Sequence, residues 1–398
     1  MNPQTNQAWR PDVVLDQDRL NITNRSRTSR LAWRGQFSPE FIEYLLSEVC
    51  GNIDSVYDPF CGSGTVLFEG ARRGIAAYGA EVNPAAWHMA KLAGFGSLPP
   101  EEKHHVLTEL TNLTGRYSGT DSLYDINGLS VDALMGGSRL TGFAKLAVAA
   151  SILVGMGNAS VLTAAALAKG SFAVLSVLKE VEETRTPAIA YLGDARLSPL
   201  PTESIGAVIT SPPYINVFNY HQNYRFAAEL LGWKPLEAAR SEIGANRKFR
   251  QNRFMTVVQY CLDIQRSIFE TTRLLKRGGR FIIILGRTSN VLGTPFLNGS
   301  IISDILLRDG NLEISHRAER VFKNRFGEAI YEDIIVAEKV ALNPINHLDA
   351  RAAGRDALAA GLAFVPPKNR HLLVEAIERF EEIAPSAMLE LATPATFK

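Results

Sequence analysis

The string Ser55-Val56-Tyr57-Asp58-Pro59-Phe60-Cys61-Gly62-Ser63-Gly64-Thr65, continued by Gly74-Ile75-Ala76-Ala77-Tyr78-Gly79-Ala80-Glu81-Val82-Asn83, decides the fold. A short apolar run ends on an acid, a turn with two glycines follows, residues 65–73 have helical character, and residues 75–79 form a second apolar run. Strand, glycine-rich turn, helix, strand is how a doubly wound α/β sheet begins. Glycines let a backbone approach a ligand closely, and the first N–H groups of the following helix lack intrahelical partners. A P-loop is excluded, because no lysine follows the second glycine.

Outward from this unit the α/β rhythm lapses and then resumes. Residues 94–187 are alanine-rich and strand-poor and read as a helical insertion. Ile189-Ala190-Tyr191-Leu192 leads to Gly193-Asp194, and Val208-Ile209-Thr210 runs into Ser211-Pro212-Pro213-Tyr214. A helix is expected over 256–276, ending at Gly278-Gly279, and the unbroken apolar run 280–285 reads as a buried strand. Residues 312–318 and 333–338 are compatible with a closing hairpin, and the chain beyond 344 is helical with proline breaks. The expected architecture is a doubly wound, mostly parallel, seven-stranded α/β sheet of Rossmann-like type with a helical insertion.

Bulk properties are those of an ordinary globular chain: 398 residues, 46% apolar, 21% charged, net charge +1. Any nucleic-acid footprint must therefore be local. Five arginines (Arg19, Arg25, Arg27, Arg30, Arg34) follow one another without an intervening acid, Arg247-Lys248-Phe249-Arg250-Gln251-Asn252-Arg253 forms a second basic run, and Arg317, Arg320, Lys323 and Arg325 a third. Such runs are more often solvated faces than phosphate contacts. Cys50, Cys61 and Cys261 show neither paired nor metal-like spacing, which fits a reducing cytoplasm, and the polar N-terminus has no signal-peptide pattern. Residues 146–168 carry no charge over a membrane-spanning length, but Gly155-Met156-Gly157-Asn158 divides them; two buried helices joined by a turn is the expected reading.

The octet Asp58-Pro59-Phe60-Cys61-Gly62-Ser63-Gly64-Thr65 resembles, residue for residue, the first motif of the S-adenosylmethionine-dependent amino-methyltransferases that act on nucleic acids. Ser211-Pro212-Pro213-Tyr214, preceded by Thr210, resembles the fourth motif of the same family. The serine form is typical of its N4-cytosine members; aspartate or asparagine before Pro-Pro is typical of N6-adenine and several RNA guanine-N2 enzymes. Trp33-Arg34-Gly35-Gln36-Phe37-Ser38-Pro39-Glu40 resembles the motif that closes over the methionine end of the cofactor, although Ser38 as N-cap and Pro39 at the first helical position also read simply as a helix start. Gly193-Asp194-Ala195-Arg196 is similar to the third strand end, where an acid meets the adenine, and Leu275-Lys276-Arg277-Gly278-Gly279-Arg280 to a structural helix-to-strand turn. The likeness covers roughly 33–83 and 189–339, in the order closing motif, cofactor turn, amine-binding motif.

The resemblance implies a catalytic domain built from 1–93 and 188–340, an insertion at 94–187 and a C-terminal helical extension at 341–398. It implies S-adenosylmethionine as cofactor, held by Phe37, Asp58, Phe60, Gly62, Gly64, Thr65, Glu81, Asn83 and Asp194; Asp58 suits the methionine ammonium and Glu81 the ribose hydroxyls. Ser211, Pro212, Pro213 and Tyr214 are the expected catalytic residues. The exocyclic amine of cytosine is a poor nucleophile, because its lone pair is delocalised into the ring. A main-chain carbonyl held by Pro-Pro and the Ser211 hydroxyl, aimed at the two N–H bonds, favour pyramidalisation, and Tyr214 offers a face for an extruded base. Neither a metal nor a covalent intermediate is needed. Cys61 reads as a small buried turn residue, no Pro-Cys pair of the C5-cytosine enzymes is present, and His221 reads as an ordinary polar histidine.

Double-stranded DNA and a cognate restriction endonuclease are the implied partners. Asn219, Tyr220, Arg247, Lys248, Arg250 and Arg253, within an amide- and aromatic-rich stretch over 215–255, are the candidate DNA contacts. An amphipathic helix with Phe218 and Tyr220 packed inward is the competing reading of its first part. The expected activity is N4-cytosine methylation of DNA, with adenine-N6 methylation, RNA guanine-N2 methylation and a non-catalytic DNA-binding subunit as open alternatives.

Overall fold

Short apolar strands ending at tight turns set the architecture. The computed structural model describes residues 11–21, 27–118, 131, 134–136, 140, 142–215, 219–245, 249–323, 326–341 and 349–394. A seven-stranded, mostly parallel sheet carries the fold. The chain divides into two compact units. The N-terminal unit comprises Ile22–Gly193, Asn219–Arg240 and Leu389–Lys398; the C-terminal unit comprises Met1–Asn21, Asp194–Phe218 and Ser241–Met388.

In the N-terminal unit, β1 (Ser55–Asp58), β2 (Ala76–Glu81) and β3 (Ala188–Leu192) run parallel in the order β3-β2-β1. All four residues of β1 are buried, as expected of an interior parallel strand with both faces covered. Asp58 pairs with Gly79 and Glu81 with Leu192, so the turns after these strands leave from the carboxyl edge of the sheet, where open α/β sheets bind ligands.

Two helices, Gly142–Met156 and Ala164–Lys179, account for the uncharged stretch that the sequence divides at Gly155-Met156-Gly157-Asn158. They meet at glycines. A Cβ on Gly155 would lie 2.0 Å from Ala166 O, and one on Gly170 2.0 Å from Ser151 O. Main chain cannot yield there as a flexible side chain would, so Gly170→Ala is expected to destabilise the chain by about 2–3 kcal/mol in urea unfolding. Gly115, in the helix Pro100–Tyr117, has open space where its Cβ would be, and Gly115→Ala is expected to stabilise by about 1 kcal/mol. Equal behaviour of the two variants would show that helix propensity, not the crossing, governs both. Among the described residues no helix is long and apolar enough to cross a membrane.

Glu69, on the helix Thr65–Arg72, is 1% exposed and lies 2.6 Å from Arg27 Nη1 and 3.7 Å from Arg72. Burial raises its carboxyl from the ordinary 4.5 to about 7, while Arg27 and Arg72 pull the other way. Between those values the folded chain holds the proton more tightly than the unfolded chain. Stability from this group is therefore full below about pH 4.5 and lost as pH rises through 7, on the order of 3 kcal/mol. Glu69→Gln is expected to flatten the fall in unfolding free energy between pH 5 and 8, measured by urea titration. An unchanged slope would assign the fall to other groups.

In the C-terminal unit, β4 (Ile205–Thr210) pairs parallel with β5 (Leu275–Gly286), which pairs antiparallel with β9 (Ala329–Lys339), and β9 with β8 (Leu312–Lys323). The antiparallel β8/β9 pair is the expected closing hairpin. β5 starts earlier than its apolar run: Ile205 pairs with Leu275 and Ala207 with Arg280, so residues 276–279 bulge outward between two ladder positions. A second hairpin, β6 (Thr288–Val291) and β7 (Thr294–Leu297), is not signalled by the sequence. Its two-residue turn needs positive φ at both positions and uses Leu292 (φ 51) and Gly293 (φ 86) where Asn-Gly would have announced it.

Candidate functional site

The turn after β1, the candidate cofactor turn, is held by its own carboxylates. Asp58, 1% exposed, accepts the Phe60 N–H at 3.0 Å. Glu81 accepts from Gly62 N (2.9 Å) and Asn83 N (2.8 Å), tying the end of β2 to the turn after β1. Asn83 caps the helix Pro84–Lys91 by accepting from Ala85 N at 2.9 Å, and its Nδ2 donates to Tyr220 O at 3.1 Å. Thr65 is buried at the first position of its helix. Burial, with Glu81 and Asp58 adding, pushes the Cys61 thiol well above its ordinary range, in keeping with a packing role.

Both turn glycines have left-handed φ, but the space beside them is filled by protein. A Cβ on Gly62 would lie 2.8 Å from Trp33 Cδ1, and one on Gly64 2.7 Å from Ala90 Cα. A side chain at either position would therefore clash with protein, which requires glycine at both. Trp33 is stacked with Tyr220 and Tyr224 at centroid distances of 6.3 and 6.1 Å. Tyr224 donates its hydroxyl to Ala32 O. Ser63 is 2% exposed and its Oγ has no hydrogen-bond partner. Phe37 is half-buried, edge-on to Phe41 at 5.9 Å, and Ser38 precedes the helix Pro39–Tyr44 without a side-chain cap bond.

In the C-terminal unit, Asp194 is 6% exposed and paired with Arg196, which donates Nε to Oδ1 (2.8 Å) and Nη2 to Oδ2 (2.6 Å). Ser211-Pro212-Pro213-Tyr214 leaves the end of β4, where Thr210 pairs with Ile283, and runs beside the last residues of β5. Tyr214 lies over Gly286: a Cβ there would be 3.0 Å from Tyr214 Cε2. The Tyr214 hydroxyl is 3.5 Å from Ser211 Oγ. Burial pushes the phenol above its ordinary range, and Glu332 adds to the shift, so Tyr214 is neutral at working pH. Gly244 backs the same segment, with its Cβ direction 2.6 Å from Tyr214 O.

The candidate DNA contacts divide. Asn219, Arg250 and Arg253 are exposed; Arg247, Lys248 and Phe218 lie outside the described residues. Tyr220 is half-buried, with its ring stacked on Trp33. His221 is buried. Trp33, Ser63, Arg196, Gly244 and Gly286 emerge only from geometry. Trp33, Ser63 and Arg196 stand inside the quoted motifs, whereas no local signal marks Gly244. Among the described residues no group of three or more His, Cys, Asp or Glu side chains is placed to hold a metal ion.

No protein-family model matches the chain. Over 77 residues it is 46% identical to the Type II methyltransferase M.MvaI of Kocuria varians, a match covering 19% of this chain and 17% of that one. Over 130 residues it is 25% identical to the Type II methyltransferase M.MjaII of Methanocaldococcus jannaschii, covering 33% of this chain and 23% of that one. The matches thus span less than a quarter of either relative. Among solved structures, a SAM-dependent methyltransferase from Methanosarcina mazei aligns with a TM-score of 0.35 at 12% identity, covering 73% of this chain and 95% of that one. The rRNA methyltransferase AviRa from Streptomyces viridochromogenes aligns with a TM-score of 0.31 at 11% identity, covering 79% and 93%.

Proposed function

We propose that this chain is an S-adenosylmethionine-dependent methyltransferase acting on the N4 amino group of cytosine in double-stranded DNA, as the modification partner of a restriction endonuclease. The observation that carries the reading is Thr210-Ser211-Pro212-Pro213-Tyr214 at the carboxyl end of a buried parallel strand, with the Ser211 and Tyr214 hydroxyls on one side of the turn. The partial match to two Type II methyltransferases supports the same class.

The donor set fits the cofactor. Ser63 supplies a buried hydroxyl without a protein partner, and the helix Thr65–Arg72 starts after Gly64 with no side-chain cap bond, so its N-terminal end suits a polar ligand. Asp58 suits an ammonium, Glu81 two hydroxyls, Asp194 an amino group on a purine, and Phe37 and Phe60 apolar cover. When bound, S-adenosylmethionine supplies an electrophilic methyl group on a sulfonium. The chain's task is to position the amine and strengthen its lone pair. Ser211 Oγ and the carbonyl held by Pro212-Pro213 accept the two amine N–H bonds, and Tyr214, buttressed by Gly286, holds the base. The proton leaves to water after transfer. Exposed Arg250 and Arg253 supply phosphate contacts.

The test is incubation with labelled S-adenosylmethionine and duplex DNA, and separately with tRNA, followed by nucleoside digestion and mass spectrometry. N4-methylcytosine from DNA is expected. N6-methyladenine would keep the mechanism and correct the base; label confined to tRNA, or none, would overturn the DNA reading.

A further inference from the structure

We infer that residues 384–387 are a strap that positions the adenine-reading carboxylate of Asp194, acting through Arg196; the inference rests on the role of Asp194 proposed above. Besides its paired bonds to Asp194, Arg196 donates Nη1 to Asp263 Oδ1 (2.8 Å), Ser386 O (3.0 Å) and Ser386 Oγ (2.9 Å), and Nη2 to Ala387 O (2.7 Å). The strap also donates Ser386 N to Asp263 Oδ1 at 2.9 Å and accepts Gln259 Nε2 at Ala384 O at 3.1 Å. The Arg196 and Asp263 side chains are 1% and 0% exposed.

Two buried carboxylates therefore share one guanidinium. Burial raises the Asp263 carboxyl although Arg196 and Ser386 lower it, the mark of a charge incompletely compensated. A guanidinium presents its donors in a fixed planar fork. With the strap in place, the fork has acceptors on the side away from Asp194 and its plane is set. Without the strap, Nη1 and Nη2 lose those acceptors, Asp263 loses an N–H donor, and the fork turns toward Asp263, so that Asp194, whose Oδ1 also accepts the Arg196 main-chain N–H at 3.0 Å, loses the fixed fork that sets the plane of its carboxylate. The strap's side chains (Ala384, Pro385, Ser386, Ala387) are small, and Ala384 and Ala387 are exposed. Its contribution is therefore main-chain polar groups aimed at this cluster, not core volume.

The experiment compares binding of S-adenosylhomocysteine with its 6-oxo counterpart, S-inosylhomocysteine, by titration calorimetry on the full chain. A carboxylate that accepts from the 6-amino group repels a 6-oxo group, so the natural chain is expected to prefer the adenosyl form by about tenfold or more. Ser386→Pro, which removes the N–H given to Asp263, and Arg196→Gln are expected to reduce the preference to about twofold. Ser386→Ala keeps the main-chain bonds and is expected to retain it. If Arg196→Gln does not fold, Ser386→Pro on the surface strap decides alone. Weakening of both ligands in equal proportion, with the preference intact, would make the strap merely structural and overturn the inference. Asp194→Asn separates the two layers. If it leaves the preference unchanged, Asp194 does not read the adenine; if it abolishes the preference while Ser386→Pro does not, only the strap fails.

Discussion

Gly244→Ala is expected to slow methyl transfer by about 100-fold or more while leaving affinity for S-adenosylmethionine within about twofold. Gly244 has φ +75, and its Cβ direction meets Tyr214 O at 2.6 Å and Tyr214 C at 3.3 Å. A methyl group there strains its own backbone and also presses on main chain that has no rotamer to adopt. The peptide that yields belongs to the turn proposed to bind the amine, where displacement by a few tenths of an ångström would spoil the alignment of acceptors with amine N–H bonds. Gly286→Ala is the milder companion. Its methyl would meet the Tyr214 ring at 3.0 Å, and a ring can tilt, so about tenfold is expected. Single-turnover rates and calorimetric cofactor affinity check both variants. A rate unchanged in Gly244→Ala would remove this turn from the chemistry, and parallel loss of cofactor binding and thermal stability would indicate a folding defect instead.

What the sequence made legible was local. The strand, turn and helix around Asp58 follow from an apolar run, two glycines and an acid within eleven residues, and the strand end at Thr210 is marked by the two prolines of Ser211-Pro212-Pro213-Tyr214. What stayed hidden depends on partners distant in the chain. Arg196 meets Asp263 across 67 residues and Ser386 across 190, and no pattern in 384–387 distinguishes a strap from a loop. The same holds for the turn glycines: φ preference was readable at Gly62 and Gly64, but that Trp33 and Ala90 fill the space beside them was not. Tyr220 shows the limit most directly. An aromatic among amides suits both base stacking and core packing, and its place beside Trp33 depends on a residue 187 positions earlier in the chain.

Asp58→Asn and Tyr214→Ala are expected to fail in opposite ways. Asparagine retains an oxygen for the Phe60 N–H that Asp58 accepts at 3.0 Å, so that bond of the turn is kept while the charge and one acceptor oxygen are lost. A charge-assisted bond to the methionine ammonium is worth about 2–3 kcal/mol, so S-adenosylmethionine affinity should fall roughly 30- to 150-fold. Turnover at saturating cofactor should change far less, because the proposed place of Asp58 is at the binding end of the cofactor, away from the methyl group. Tyr214→Ala removes the face proposed to hold the extruded base, and the rate should fall about 100-fold with cofactor affinity unchanged. Tyr214→Phe isolates the hydroxyl. Its contact with Ser211 Oγ is long at 3.5 Å and burial keeps the phenol neutral, so phenylalanine should retain most of the rate and leave its pH profile unmoved. Calorimetry with S-adenosylmethionine and burst kinetics on duplex DNA measure the two quantities separately. The reverse pattern, with Tyr214→Ala losing the cofactor and Asp58→Asn losing only turnover, would falsify the division of roles between the turn after β1 and the turn after β4.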